Sequence, residues 1–252
     1  MHSTGMTYST HTTPDGRQIA YNCTPGAGPG IVFLGGFKSD MTGTKAMFLQ
    51  DWAIAQGRAF LRFDYTGHGA SSGRFEDGCI GEWARDAIDI ITKKTSGPLI
   101  LVGSSMGGWI CLLVARAMPK RLAGLVGIAA APDFTEDSMW DGFSAEQRET
   151  LMAEGQVVLP SEYDDSPYII TKKLIEDGRN QLVLRDKFSL NVPVRLLQGS
   201  ADVDVPPSVA LRLFNHLEGD DIRLTLVKGA DHRFSGLAEL ALLAAAIEGI
   251  ET

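Results

Sequence analysis

The apolar run Leu99-Ile100-Leu101-Val102 stops at Gly103 and continues as Ser104-Ser105-Met106-Gly107-Gly108-Trp109, where a helical pattern begins. An unbroken apolar run bounded by glycine reads as a strand covered on both faces, and such strands belong to parallel sheets whose crossovers are helices. The chain must therefore turn sharply inside G-x-S-x-G. Glycines at −2 and +2 let the backbone make that turn, and the central side chain is pushed out above the sheet. Ser105 is thus a candidate nucleophile; Ser104, without flanking glycines at those offsets, is not. Strand–turn–helix junctions favour glycine and serine for structural reasons too, so the assignment depends on what the rest of the chain supplies.

At 252 residues, 44% hydrophobic and 21% charged, the chain has the length and composition for one large domain with a substantial core. Its formal net charge of −8 argues against a nucleic-acid partner, which would call for a basic patch. Cys23, Cys79 and Cys111 show no C-x-x-C spacing, so neither a disulfide set nor a zinc site is expected. Cys111 falls in an apolar helical run and reads as a buried, inert thiol. Met1 to Tyr8 has neither the basic and apolar regions of a secretory signal nor the arginines of a transit peptide. No window offers the ~18 apolar residues of a membrane span. The expectation is a cytoplasmic protein with no integral membrane segment, or a mitochondrial one if a transit peptide has been removed.

In chain order, Thr7–Thr13 and Arg17–Thr24 flank a Pro14-Asp15-Gly16 turn and read as a hairpin. Pro25–Gly30 reads as a loop; its glycines precede a strand instead of joining one to a helix, so a dinucleotide-binding reading fails. Buried strands are expected at Ile31–Leu34, Ala59–Phe63, Leu99–Val102, Gly124–Ala129, Pro193–Gln198 and Ile222–Val227. Helices are expected at Thr44–Gln56, Ile80–Lys94, Met106–Met118, Pro207–Leu217 and Leu237–Ile250. Strands alternating with long helices mean an α/β fold with a mostly parallel central sheet and helices on both faces. One interval breaks the rhythm. Between Pro132 and Val192 lie helical segments at Glu136–Trp140 and Ala145–Ala153, a Pro160 break and an acidic Asp164-Asp165 turn. The organisation that follows is a core of residues 1–132 and 168–252 with a small helical cap at 133–167, and Tyr168–Leu184 returning to the core layer.

A serine hydroxyl needs a base, and the base needs a group to orient it. His2 and His11 lie near the terminus, and His216 falls on the expected solvent face of a helix. His232, in Gly229-Ala230-Asp231-His232-Arg233, sits just past the last strand, where open α/β sheets place their sites. It is the preferred base, with His68 the alternative. The orienting acid is expected on the turn Gly199-Ser200-Ala201-Asp202-Val203-Asp204; Asp202 is preferred, and Asp204 otherwise caps the helix that opens near Pro206-Pro207. A developing oxyanion needs two N–H donors. The N–H of Met106 is one, and Phe37, chosen by position after the Ile31–Leu34 strand, is the other. Trp109, Trp140 and Phe143 are candidate pocket walls, each equally readable as core.

With serine, acid and histidine in that order on successive strand ends, the chain resembles the α/β-hydrolase family over essentially its whole length. Asp64-Tyr65-x-Gly67-His68-Gly69-x-Ser71 is similar to a structural turn of that family, which favours His232 over His68. Gly199-x-x-Asp202-x-x-Val205-Pro206 resembles its acid turn and favours Asp202. A closer resemblance is to the branch holding the tenth α/β-hydrolase-domain member, a mitochondrial enzyme of animals, and its bacterial relatives. It rests on Gly36-Phe37-x-Ser39-Asp40-Met41-x-Gly43-Thr44-Lys45-Ala46, Arg62-Phe63-Asp64-Tyr65, Val102–Trp109, Arg195-Leu196-Leu197 and Asp231-His232-Arg233. That animal enzyme is known as an acyl-protein thioesterase that removes palmitoyl groups and as an esterase of drug acyl-glucuronides. The resemblance implies a serine hydrolase of acyl esters or thioesters, small-molecule or protein-linked, working through an acyl-enzyme without metal or cofactor. Gln198 departs from it, standing where relatives often carry histidine. A carbon–carbon bond hydrolase or cofactor-free peroxidase on the same triad, and a ligand receptor of low turnover, remain open, as does the oligomeric state.

Overall fold

Successive residues of a strand point to opposite faces of its sheet, and here both faces are apolar. Along Ala27–Leu34 (β3), Ile31 and Phe33 join one core while Val32 and Leu34 join the other; along Leu99–Ser104 (β5), Ile100 and Val102 oppose Leu99 and Leu101. These strands belong to a computed structural model that describes residues 7–159 and 167–250. Met1–Met6, Pro160 and the Asp164-Asp165 turn lie outside the described residues.

The remaining strands of the main sheet are Ser9–Thr12 (β1), Gln18–Thr24 (β2), Arg58–Phe63 (β4), Leu122–Ile128 (β6), Val194–Gly199 (β10) and Ile222–Val227 (β12). Short strands outside it are Gln156–Leu159 (β7), Tyr168–Thr171 (β8), Phe188–Ser189 (β9) and Leu217–Glu218 (β11). The eight-stranded order is β1-β2-β4-β3-β5-β6-β10-β12; β1–β2 and β2–β4 pair antiparallel and every other pairing is parallel. The parallel pairs require crossovers, which the helices supply. Thr44–Ala55 (α1) and Leu237–Glu248 (α7) cover one face; Ile80–Lys94 (α2), Met106–Ala117 (α3) and Pro207–His216 (α6) cover the other. No helix among the described residues is long and apolar enough to cross a membrane.

β3 starts earlier than the expected Ile31. The Ala27 N–H reaches the Gly57 carbonyl at 2.8 Å, and a Cβ on Gly26 would meet the Arg58 carbonyl carbon at 2.2 Å. The glycines of the expected loop are what let the chain lie against β4. His11, though near the terminus, is tied to the core: its Nε2 lies 2.6 Å from Asp89 of α2, and the ring is half-buried.

The interval after β6 begins with a π-helix, Thr135–Trp140, followed by Ala145–Glu154 (α4). α4 opens with a capping box, in which Ser144 accepts from Gln147 N–H and the Gln147 side chain accepts from Ser144 N–H; it closes at Gly155 in the left-handed region, φ 82°. β7 and β8 then pair antiparallel as a ribbon separate from the main sheet. Thr171 caps Lys172–Arg179 (α5), which packs on both the π-helix and α2. Val157 and Ile170 of the ribbon are buried in the same core as α2 and α3.

Candidate active site

Ser105 sits between β5 and α3 at φ 54°, ψ −118°, a conformation that an L-residue holds only where its surroundings impose it. They do: its N–H donates to the Ile128 carbonyl at 2.9 Å, and its own carbonyl accepts from Gly108 at 2.9 Å and Ala131 at 3.1 Å. The two motif glycines are steric necessities. A Cβ on Gly107 would stand 2.0 Å from the Leu34 carbonyl oxygen, and one on Gly103 would stand 2.3 Å from the Gly107 carbonyl oxygen. Close packing of β3, β5 and α3 therefore forces the elbow and leaves the serine half-buried at its tip.

Asp202 lies on the turn after β10, 4% exposed. Its Oδ1 accepts the N–H groups of Asp204 at 3.0 Å and Val205 at 2.8 Å; its Oδ2 accepts Gln198 Nε2 at 3.0 Å and lies 2.9 Å from His232 Nδ1. Burial pushes the carboxyl up, but the hydrogen bond from His232 and those from Val205 and Gln198 more than offset it, leaving it below the ordinary carboxylate value. An ionised Asp202 fixes the proton of His232 on Nδ1 and leaves Nε2 as the ring's basic atom. The contact to His232 Nδ1 at 2.9 Å is that of Asp202, while the alternative acid Asp204 lines the larger cavity beside Ser105 and the N-cap of α6 is Pro206. Asp202, Asp204 and His232 bring ligand-type atoms within 4.8 Å of one another. Two of those three are already bonded to each other, an arrangement suited to holding a proton.

The loop after β3 passes against the elbow: a Cβ on Gly36 would touch the Ser105 Cβ and the Ser104 carbonyl oxygen, each at 3.4 Å. That places Phe37 beside Ser105 and Met106, the first residue of α3. The Phe37 ring is wedged edge-on against Phe75, Trp83 and Phe134, with centroids 4.8, 6.0 and 5.6 Å away. His68 secures the next residue. Its Nε2 accepts the Lys38 N–H at 3.3 Å, and its Nδ1–H donates to the Thr66 carbonyl at 3.2 Å. Burial lowers its pKa to about 4, so it stays neutral there. His216 is removed from the site, its Nε2 bonded at 2.8 Å to the Asp186 carbonyl.

Two cavities meet at Ser105, His232, Phe37 and Arg233. The larger, about 540 Å³, is walled by Ala131, Phe134, Met139, Tyr168 and Val205. The smaller, about 270 Å³, runs along the loop after β3 and the start of α1, past Ser39, Thr44, Lys45 and Ser235. Trp109, Trp140 and Phe143 line neither. Trp109, in the first turn of α3, is wholly buried and donates Nε1–H to the Gln181 carbonyl at 3.0 Å. Trp140 is held by the guanidinium groups of Arg148 and Arg179, 5.1 and 4.6 Å from its ring, with Phe143 packed against it. The aromatic walls are instead Phe37, Phe134 and Tyr168. No sequence signal singled out Met139: Glu136–Trp140 reads as an ordinary helical segment, and only folding reveals the widened turn of the π-helix.

A family model described as serine aminopeptidase, S33, matches residues 30–177. The mitochondrial palmitoyl-protein thioesterase ABHD10 of Homo sapiens is 34% identical over 238 residues, 94% of this chain and 78% of its own. Among solved structures, ABHD10 from mouse is similar with a TM-score of 0.90 at 32% identity, covering 97% of this chain and 98% of that one. A protein of Agrobacterium vitis S4 described as a hydrolase reaches 0.92 at 40% identity, covering 97% and 99%.

Proposed function

The chain belongs to the α/β-hydrolase family, and from that premise we propose that Ser105, Asp202 and His232 are the triad with which it hydrolyses acyl esters and thioesters. The observation that carries this reading is the 2.9 Å contact of His232 Nδ1 with an ionised, buried Asp202, on a histidine that shares both cavities with an elbow serine. His232 Nε2 takes the hydroxyl proton as Ser105 Oγ attacks the acyl carbon. The N–H groups of Phe37 and Met106 receive the negative charge that moves onto the carbonyl oxygen. The imidazolium gives its proton to the departing thiolate or alkoxide, which leaves as thiol or alcohol; a water deprotonated by His232 then attacks the acyl-enzyme, and the acid is released as that proton returns to Ser105 Oγ.

The larger cavity suits a fatty acyl chain, since its aromatic and thioether walls gain from apolar contact. Palmitoyl, named in the description of the ABHD10 relatives, is the acyl group we assign to it. Residues 133–167 act as the cap, with Phe134 and Met139 forming its inner wall. The test is turnover of acyl thioesters and 4-nitrophenyl esters, with fluorophosphonate labelling, by the wild-type protein and Ser105→Ala. Loss of labelling and a fall in kcat of about 10⁴-fold or more are expected. Undiminished turnover by Ser105→Ala overturns the mechanism.

A further inference from the structure

The main sheet has two edges, and they are built differently. β1, at one end, carries only serine, threonine and histidine side chains. β12, at the other, reads Ile222-Arg223-Leu224-Thr225-Leu226-Val227, with Thr225 and Leu226 exposed. Its register with β10 runs unbroken from Ile222 to Val227, so neither a bulge nor a proline interrupts it. Those are the usual guards against a further strand. Its one charged side chain, Arg223, is paired with Asp221 at 3.0 Å.

Backbone groups of successive residues point to opposite sides of a strand. The Val194 N–H donates to the Asp221 carbonyl at 2.8 Å and the Ser200 N–H to the Val227 carbonyl at 2.9 Å, so the odd-numbered residues of β12 face β10. Ile222, Leu224 and Leu226 therefore turn their N–H and C=O groups outward, where no strand among the described residues receives them. Antiparallel pairing joins residues whose groups face each other, so a second β12 meets this one with even-numbered residues opposite even-numbered ones. With a two-fold axis at Leu224, that residue faces its own copy and Ile222 faces Leu226. At both ends, exposed Asp220, just before the strand, then faces exposed Lys228, just after it. An axis at Arg223 sets two guanidinium groups together, and one at Thr225 sets Ile222 against Lys228. We propose that two copies of this chain associate through antiparallel pairing of their β12 edges, centred on Leu224 and closed at each end by Asp220 and Lys228. The two sheets then continue as one. Because the strands of the two copies run oppositely, the ends that carry Ser105 and His232 open on opposite sides of it.

Sedimentation velocity on the full chain from about 1 to 100 μM tests this, since the range spans micromolar dissociation constants. The wild-type protein is expected to be a dimer at the upper end. Lys228→Asp and Asp220→Lys each set like charges together at both ends and should weaken the dimer about tenfold or more. The double variant Asp220→Lys/Lys228→Asp restores opposite charges and should return to within about threefold of wild type. Leu226→Pro removes an outward N–H, spares the bonds to β10 and should leave a monomer. Far-UV circular dichroism checks that each variant is folded. The charge swaps lie at exposed positions and decide the matter even if the proline variant does not fold. A wild-type monomer at about 100 μM overturns the proposal, as does a dimer that neither charge swap weakens. A double variant as weak as the single ones overturns the pairing of Asp220 with Lys228, and the axis at Leu224 with it.

Discussion

Asp202 is an ionised carboxylate in a place with almost no water, and its neighbours decide whether it can serve there. Gln198 matters most among those outside the proposed triad. At 1% exposure, its Nε2 donates to Asp202 Oδ2 at 3.0 Å and to the Val205 carbonyl at 2.9 Å, tying the acid to its own turn. Gln198→Met removes both bonds and keeps the volume. If Asp202 orients the base as proposed, losing one charge-assisted hydrogen bond to it should lower kcat about tenfold with KM little changed. Steady-state kinetics on a single ester checks this, and an unchanged kcat would leave Gln198 with a packing role only. The sequence marks Gln198 as a departure from relatives but not as a donor, because its partner is defined by how the turn after β10 folds back. The placement of Ser105, Asp202 and His232 at one end of the sheet was legible for the opposite reason: each follows directly from a strand, so chain position alone carries it there. Trp109 and Trp140 were not separable from true pocket walls, since an aromatic side chain has the same sequence signature in a core, in a cation–π stack or beside a ligand.

One buried residue fastens the start of the insertion. Asp133, at φ 59° and 0% exposure, accepts the N–H groups of Val183 at 2.8 Å and Leu184 at 3.0 Å and an Arg185 N–H at 3.1 Å. Burial pushes its carboxyl up despite these donors. The start of the insertion is thereby clamped to the segment after α5, and Phe134 and Met139 follow within the next turns. Asp133→Ala leaves the two N–H groups unsatisfied in the interior, and a loss of about 3 kcal/mol is expected by urea unfolding. The same variant should raise KM for long-chain acyl substrates more than for acetyl esters, because only the former reach the wall. Equal changes for both would sever Asp133 from acyl binding. Regular helices such as Ile80–Lys94 were readable in advance because their apolar period is local. The β7–β8 ribbon was not: Tyr168–Thr171 has the pattern of a core strand, and only its partner Gln156–Leu159, across a long connection, distinguishes the two.

Both faces of the sheet are buried, so the polar groups taken inside with them tie the stability of the whole fold to pH. Two such groups hold the same residue. Asp86 of α2 accepts the Thr66 N–H at 2.8 Å, and His68 donates to the Thr66 carbonyl. Burial raises the Asp86 carboxyl to about 6, although Arg17 at 3.1 Å offsets part of the cost and Glu82 adds to it. Its folded value lies above its unfolded one, so the stability it contributes is present below about pH 4 and lost as pH rises through 6. His68 runs the other way. Burial lowers it from 6.5 to about 4, so the unfolded chain binds the proton first, and stability is gained as pH rises from 4 towards 6.5. Shifts of this size correspond to about 3 kcal/mol each, opposite in sign and in nearly the same window. The two should almost cancel in the wild-type protein, and single substitutions should uncover them. Subtracting the unfolding free energy of His68→Asn from that of wild type should give a difference that climbs by about 3 kcal/mol between pH 4 and 6.5. The corresponding difference for Asp86→Asn should fall by about as much between pH 4 and 6. Urea titrations across that range decide it: a wild-type curve parallel to both variants would mean that neither group carries its proton differently in the folded chain, whereas opposite slopes would show a buried acid and a buried base balancing each other across Thr66.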